Sequence, residues 1–381
     1  MAYSARLRKA VGSVRSTLNT FGLEVQSPEF RTHGDHEIPA DAPLVLVACS
    51  GGRDSMALAA VARTVCASMG VRCGAVIIDH AMQAGSDHVA RQTAERCRNM
   101  GLDPVHIRTV NVLQHGEGTE AAAREARYRA LAAVARETRA AAILLAHTMD
   151  DQAETVLIGL LRSRGVDALA GMPASIRREG VAFLRPLLGL TRADTTGICA
   201  DLGLAYWDDP TNGESVDGEL SSDYPLRSRV RHDLLPAIAR FAGSDVTRHF
   251  AQSARLARLD KEYLDQQADE LLAAAVTMTM PDASPVPAAE VKTKDASKQP
   301  AVGLTIDVRP LGQAHAAIRL RVIAHALTQA GISASSTQIE AIDRLITDWH
   351  GQGAVALSGE YSANRKKHVI RVCQDGTHAN R

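Results

Sequence analysis

The stretch LVLVACSGGRDSMALAAV, residues 44–61, constrains this chain more than any other. Five apolar residues read as a buried strand. A loop of small residues follows, and then an alanine-rich helical pattern. Two glycines straight after a strand let the backbone turn tightly and aim successive N–H groups at one anion, while the next helix adds its positive N-terminal end. Ser50, Gly51, Gly52, Arg53, Asp54 and Ser55 therefore form a candidate pyrophosphate cradle. No lysine follows the glycines, so this is not the nucleotide-hydrolysing loop G-x-x-x-x-G-K-[ST]. Asp54 is the oddity, because a carboxylate beside phosphates is repelled. Two readings make sense of it: a cap on the helix N-terminus, or a ligand to Mg2+ that bridges to phosphate oxygens.

Strand-like and helical stretches alternate from residue 44 to about 205. LVLVA precedes a helix over 54–69, CGAVIID one over 86–100, PVHIRTV one over 119–138, and AAILLAH one over 150–162. That order predicts an α/β fold, a mostly parallel sheet covered by helices on both faces, with ligands at the carboxyl ends of the strands. Beyond 205 the pattern changes. Residues 1–222 are expected to form the nucleotide domain, with 1–42 as an N-terminal extension, and 223–276 a helical linker. The Pro-, Ala-, Ser- and Lys-rich stretch 277–303 reads as a flexible linker, and 304–381 as a small α+β or mainly helical module.

Composition sets limits on class. Of 381 residues 45% are apolar and the formal charge is zero, so no global basic signature marks a nucleic-acid binder. No apolar run approaches a membrane span and no signal-peptide core opens the chain, which points to the cytoplasm. The six cysteines include no C-x-x-C pair, against a zinc site, an iron–sulfur cluster or a redox dithiol. Arginine outnumbers lysine 36 to 7, clustered in LLRSRG, SIRREG, PLRSRVRHDL and NRKKH. Arginine suits forked contacts to phosphate, although a GC-rich genome raises it without any function.

Four further motifs carry chemistry. IIDHAMQ (77–83) ends a strand in Asp79 and His80. TEAAAREARYRAL (119–131) places Arg124, Arg127, Tyr128 and Leu131 on one helical stripe, and arginines do not sit in an apolar seam without anionic partners. An ordinary Glu120–Arg124 helix pair is the plainer reading. AHTMDDQAET (146–155) ends a strand in His147 and opens a helix with Asp150, Asp151 and Glu154, spaced to converge on one cation. The helix dipole alone would also favour carboxylates there. DDPTN (208–212) is a turn, followed by LRSRVRHDLLPAI (226–238), where Arg227 and Arg231 share a helix face. Arg227, Arg229 and Arg231 form either a solvated charge run or a set of phosphate contacts.

The SGGRDS loop resembles the PP-loop, or N-type, ATP pyrophosphatases, which cleave ATP between the α and β phosphates. The loop alone does not choose among its members. E-x-x-A-R-x-x-R-Y, H-x-x-D-D-x-x-E-T, D-P-x-N with its arginine helix, and W-H-G-Q near the end, in this order, are similar to the tRNA(Ile)-lysidine synthetases. Departures stand at Ala81, where that family has Gly, at Ser163 and Arg164, where Gly and Ser are usual, and at Ser228, where it has Asn. The resemblance implies a Rossmann-like sheet of the adenine nucleotide alpha hydrolase-like kind, with a smaller, mostly helical C-terminal domain that grips tRNA. It implies ATP and Mg2+ as cofactors, and as partners L-lysine and tRNA(Ile) bearing a CAU anticodon. Asp54 would hold the metal; His147, Asp150 and Arg124 would join it in catalysis. Asp151 and Glu154 would recognise lysine, and Arg127, Arg227, Arg229 and Arg231 would bind RNA. A homodimer is left open. The alternative is a PP-loop tRNA 2-thiocytidine or thiouridine sulfurtransferase, which should need poised cysteines; the lack of C-x-x-C opposes it.

Overall fold

The computed structural model describes residues 3–32, 36–81, 85–110, 119–163, 165–213, 216–279 and 303–374. Two compact units divide at Arg258 and Leu259. The first contains α1 (Ala5–Thr20), β1 (Leu44–Ala48), α2 (Arg53–Ala67), β2 (Arg72–Asp79), α3 (Ser86–Asn99) and β3 (Val105–Thr109). It continues with α4 (Thr119–Thr138), β4 (Ala142–Leu144), α5 (Met149–Arg162), α6 (Val166–Leu169), β5 (Ser175–Arg178), β6 (Val181–Leu184) and α7 (Arg192–Asp201). Last come α8 (Leu226–Arg229), a π-turn (Val230–Leu234), α9 (Leu235–Ala242) and the first part of α10 (Thr247–Ala275).

The strands lie in the order β3-β2-β1-β4-β6-β5. All neighbours are parallel except the β5–β6 hairpin. Each central strand is buried on both sides, which is why these strands read as continuous apolar runs. Alternate residues serve opposite faces: Val45 and Val47 pack with α1, α2, α3 and α7, whereas Leu44 and Leu46 pack with Tyr128, Leu131 and Ala135 of α4. Each such fully buried aliphatic side chain contributes about 1.5–3 kcal/mol. The N-terminal extension joins this core through Leu7, Ala10, Val14 and Leu18 of α1. Five of the cysteines are buried free thiols, all in the core that α2 forms with the sheet.

The stretch 223–276, expected as a helical linker, is shared between the two units. Residues up to 258 belong to the first unit, because α8 and the π-turn are tied to α5 by ion pairs. The unit boundary falls inside α10.

The second unit is α+β. Its sheet is antiparallel, in the order β7-β8-β11-β10-β9, from β7 (Val276–Thr279), β8 (Gly303–Asp307), β9 (Val355–Ala356), β10 (Tyr361–Lys366) and β11 (Val369–Gln374). Helices α11 (Val308–Gly312), α12 (Ala316–Gln329) and α13 (Ser336–Thr347) pack on it through Leu311, Val322, Ile323, Ile342 and Leu345, against Leu304, Ile306, Ile370 and Val372. Arg365 stacks on Trp349 of the W-H-G-Q motif at 4.5 Å, and its Nη1 donates to the Leu345 carbonyl near the end of α13. Among the described residues no helix is long and apolar enough to cross a membrane.

Candidate active site

The strand order reverses between β1 and β4, and a crevice opens outside the carboxyl ends of strands at such a point. β1 delivers the 49–55 loop there, and β4 delivers His147 and the start of α5. The motifs singled out in the sequence thus meet because topology puts their strand ends side by side.

The loop is internally braced. Ser55 Oγ accepts from the Ser50 amide at 3.2 Å and donates to the Gly52 carbonyl at 2.9 Å. Gly51 has φ +86°, and a Cβ there would collide with Thr93 Oγ1 of α3, so both conformation and space call for glycine. Gly52 caps α2 without a side-chain bond, leaving that helix end for an anion rather than for its own chain. The following loop lies over the cradle: the Trp207 amide donates to Gly51 O at 2.9 Å, and Arg53 pairs with Asp208 at 3.5 Å.

Asp54 reaches across to α7, where Thr195 Oγ1 donates to its Oδ1 and Arg192 Nε lies 3.9 Å from Oδ2. Burial pushes its carboxyl up to about 6, with Thr195 and Arg192 only partly opposing the shift. A cation placed there would restore the charged form. Among the described residues no group of three or more His, Cys, Asp or Glu side chains could cage a metal. One carboxylate beside a phosphate cradle would suit a divalent cation whose remaining ligands came from a nucleotide's phosphates and water.

The acidic start of α5 is a charge knot. Thr148 and Asp151 form a capping box, with the Thr148 amide donating to Asp151 Oδ2 at 2.7 Å. Glu154 is fully buried and accepts from Arg231 Nε at 2.7 Å, Arg231 Nη2 at 3.1 Å, Arg192 Nη2 at 3.2 Å and Arg227 Nη1 at 3.3 Å. The same three guanidiniums stand 3.5–3.9 Å from Asp151 Oδ1. Burial alone would raise Asp151, yet Arg192, His147, the Thr148 amide and Arg227 hold it below its ordinary value. Asp150 accepts the Arg192 backbone amide at 2.7 Å, so it anchors the start of α7.

This geometry changes how two sets of residues are read. Arg227 and Arg231, expected on RNA phosphates, turn inward onto Glu154. Arg231 also donates to Asn212 at 3.2 Å, joining the DPTN turn to the knot. Arg229 stays outside it, its charge acting on Asp233. The residues between Val230 and Leu234 make a π-turn, with the Leu235 amide bonded to Val230 O, just before Pro236, which has no amide to donate.

A second cluster surrounds Tyr128. The guanidiniums of Arg178, Arg124 and Arg127 stand 4.5, 5.4 and 5.8 Å from its ring, and Arg185 Nη2 donates to its hydroxyl at 3.2 Å. Arg178 pairs with Glu125. Arg124, Arg127 and Arg185 have no carboxylate partner among the described residues, and Arg185 is buried with Nε unsatisfied. Burial holds Arg127 below its ordinary value. It also pushes His147 down to about 3, so this imidazole is neutral near pH 7, and its Nδ1 is unsatisfied. Uncompensated cations in a crevice are positioned for an anion from outside.

The comparisons with known proteins agree with this architecture. A PP-loop domain model matches residues 28–238, and a TilS substrate binding domain model matches residues 306–371. A tRNA(Ile)-lysidine synthase of Bifidobacterium longum subsp. infantis is 68% identical over the full length of both chains. The chain belongs to the tRNA(Ile)-lysidine synthase family. Other relatives of that name are 53% identical in Bifidobacterium animalis subsp. lactis, covering 100% of this chain and 98% of the other, and 40% identical in Streptomyces coelicolor, covering 85% and 84%. ATP use follows from the PP-loop domain. The sulfurtransferase alternative has no counterpart among these three synthases.

Three departures from the lysidine synthase motifs can be placed. Ala81 adopts φ +50°, the left-handed conformation a glycine would take without cost, and its amide is held by Asp79 Oδ1 at 2.9 Å. Ser228 is buried and donates to Thr211 O at 3.0 Å, so it still ties α8 to the DPTN turn. Ser163 is the exposed C-cap of α5, while Arg164 lies outside the described residues. Arg192, Thr195 and Arg185 went unmarked in the sequence. The only local signal was their place in the apolar and basic run FLRPLLGLTRADTT.

Proposed function

We propose that this chain ligates L-lysine to C2 of the first anticodon cytidine of tRNA(Ile) bearing CAU, through an adenylated tRNA. The observation that carries the reading is the convergence at one sheet switch point of a phosphate cradle, a set of carboxylates and three guanidiniums without carboxylate partners among the described residues. In the first step the cytidine O2 attacks the α-phosphorus of ATP and pyrophosphate leaves. In the second the ε-amine of lysine attacks C2, and AMP leaves as the C–O bond breaks.

The cradle 50–55 would hold the departing pyrophosphate by backbone N–H groups, without a lysine gripping the terminal phosphate. Mg2+ bound through Asp54 would supply positive charge to the phosphate oxygens. Arg124, Arg127 and Arg185 would face the α-phosphate and the RNA backbone, where preorganised donors outweigh the same groups in water. His147, being neutral, can offer a hydrogen bond but no charge.

The guanidiniums of the knot stand 3.5–3.9 Å from Asp151 Oδ1 against 2.7–3.3 Å from Glu154, which supports lysine recognition by Asp151, the less tightly held acceptor, beside Glu154. The anticodon must present an unstacked base, as single-stranded loops do. The module around residues 306–371 would hold the tRNA body, in the cytoplasm.

The test is incubation with ATP, radiolabelled lysine and tRNA carrying CAU. Label should enter the RNA, with AMP and pyrophosphate released in equal amounts. Unlabelled RNA, beside a positive control enzyme that labels it, would overturn the assignment.

A further inference from the structure

We infer that Arg192 is a positioning residue coupling the nucleotide end of the site to its amine end, and that Asp150 acts by anchoring it. This rests on the function proposed above. The first turn of α7 touches four carboxylates from two separate helices. Arg192 Nη2 lies 3.2 Å from Glu154 and 3.5 Å from Asp151, both on α5, while its Nε lies 3.9 Å from Asp54 on α2. One turn later Thr195 donates to the same Asp54. Arg227 and Arg231 also reach Asp151 and Glu154, but no ion pair of theirs with Asp54 is present among the described residues.

Arg192 is held on all sides. Its side chain is 14% exposed, and its amide is fixed by Asp150 Oδ2 at 2.7 Å, beside the Thr191–Asp194 capping box. A planar guanidinium can span two acceptors in a way a point charge cannot. Asp54 is the residue nearest the phosphates, whereas Asp151 and Glu154 are the acceptors for the amine. A metal-bearing nucleotide arriving at Asp54 competes with Arg192 there. An ammonium arriving at Asp151 competes with it at the other end. Arg192 therefore links the two events, and a side chain that served only one of them would have no need to contact both helices.

The experiment measures two half-reactions separately on the full chain: transfer of labelled AMP to tRNA without lysine, and the lysine KM in the complete reaction. Arg192→Gln is expected to slow adenylation and to raise the lysine KM, each by about tenfold or more, since an ion pair to Asp54 is lost at one end and hydrogen bonds to Glu154 and Asp151 at the other.

Arg192→Lys keeps a charge but cannot span, so lysine KM should recover more than adenylation; this variant also serves if Arg192→Gln does not fold. An effect on one half-reaction only, or a lysine variant equal to the wild type in both, would overturn the inference. Wild-type protein inactive in both half-reactions would instead overturn the proposed function.

Discussion

Two arginine-rich regions flank the same crevice and differ in what neutralises them. Around Glu154 three guanidiniums close on buried carboxylates, and the protein supplies both signs of charge. Around Tyr128, Arg124, Arg127 and Arg185 meet an aromatic side chain with no carboxylate partner of their own among the described residues, while Arg178 over the same ring pairs with Glu125. The first arrangement pairs every guanidinium within the protein and holds α5, α7 and α8 together. Among the described residues the second lacks such partners and calls for an anion from outside. Arginine content alone could not make that distinction; the location of each partner does.

The largest effect is expected where the knot is broken. Glu154→Ala leaves three buried or half-buried guanidiniums facing one another and should lower unfolding free energy by about 3–5 kcal/mol in denaturant titration. A loss below about 1 kcal/mol would mean that the knot relaxes into water and holds nothing. At the other cluster, Arg127→Leu should reduce tRNA adenylation about a hundredfold in single-turnover assays, as expected for a donor aimed at developing charge. Unchanged adenylation would place the anion elsewhere.

Asp54 joins the two regions and gives a pH signature. The folded chain keeps its proton up to about 6, against an ordinary value of 3.8. Between those values the folded state binds more protons than the unfolded state, so this group makes stability fall as pH rises through the window. The stability of wild type minus that of Asp54→Asn should therefore decline from pH 4 to pH 6, and saturating Mg2+ with ATP should diminish the decline. A difference that rises with pH contradicts the assigned environment. Asp54→Asn should also abolish Mg2+-dependent adenylation while leaving tRNA binding nearly intact. The smallest effect belongs to Ala81→Gly, which removes a left-handed strain of about 1 kcal/mol but adds unfolded-state entropy, for a net gain of a few tenths of a kcal/mol in thermal melts.

Much of this architecture was legible in the sequence, and the reasons are local. The β1–loop–α2 unit announces itself by apolar run, glycines and helix. The span of α4, Thr119–Thr138, follows from its periodicity, and the acidic first turn of α5 from its spacing. Arg192 was not legible, because its partners lie on α2 and α5, far away in sequence, and its own neighbours are ordinary cap residues. For Arg227 and Arg231 the helical stripe was readable but not its direction, which depends on where α8 docks. The second unit's strands β7 and β8 were missed for a related reason. They are short, and their pairing is long-range, β7 with β8 and β8 with β11. β10, in a tight hairpin with β11, was missed because YSANRK carries too few apolar residues to read as a strand.

The equilibrium stability of Arg127→Leu tests the division between the two clusters most directly. If no protein group neutralises Arg127, replacing it with an apolar side chain of similar reach removes an uncompensated charge. The variant should then unfold at the same denaturant concentration as the wild type, or a higher one. A loss of about 2 kcal/mol or more, comparable to breaking a paired buried charge, would show that Arg127 already has its partner within the protein, and the contrast between the clusters would not stand.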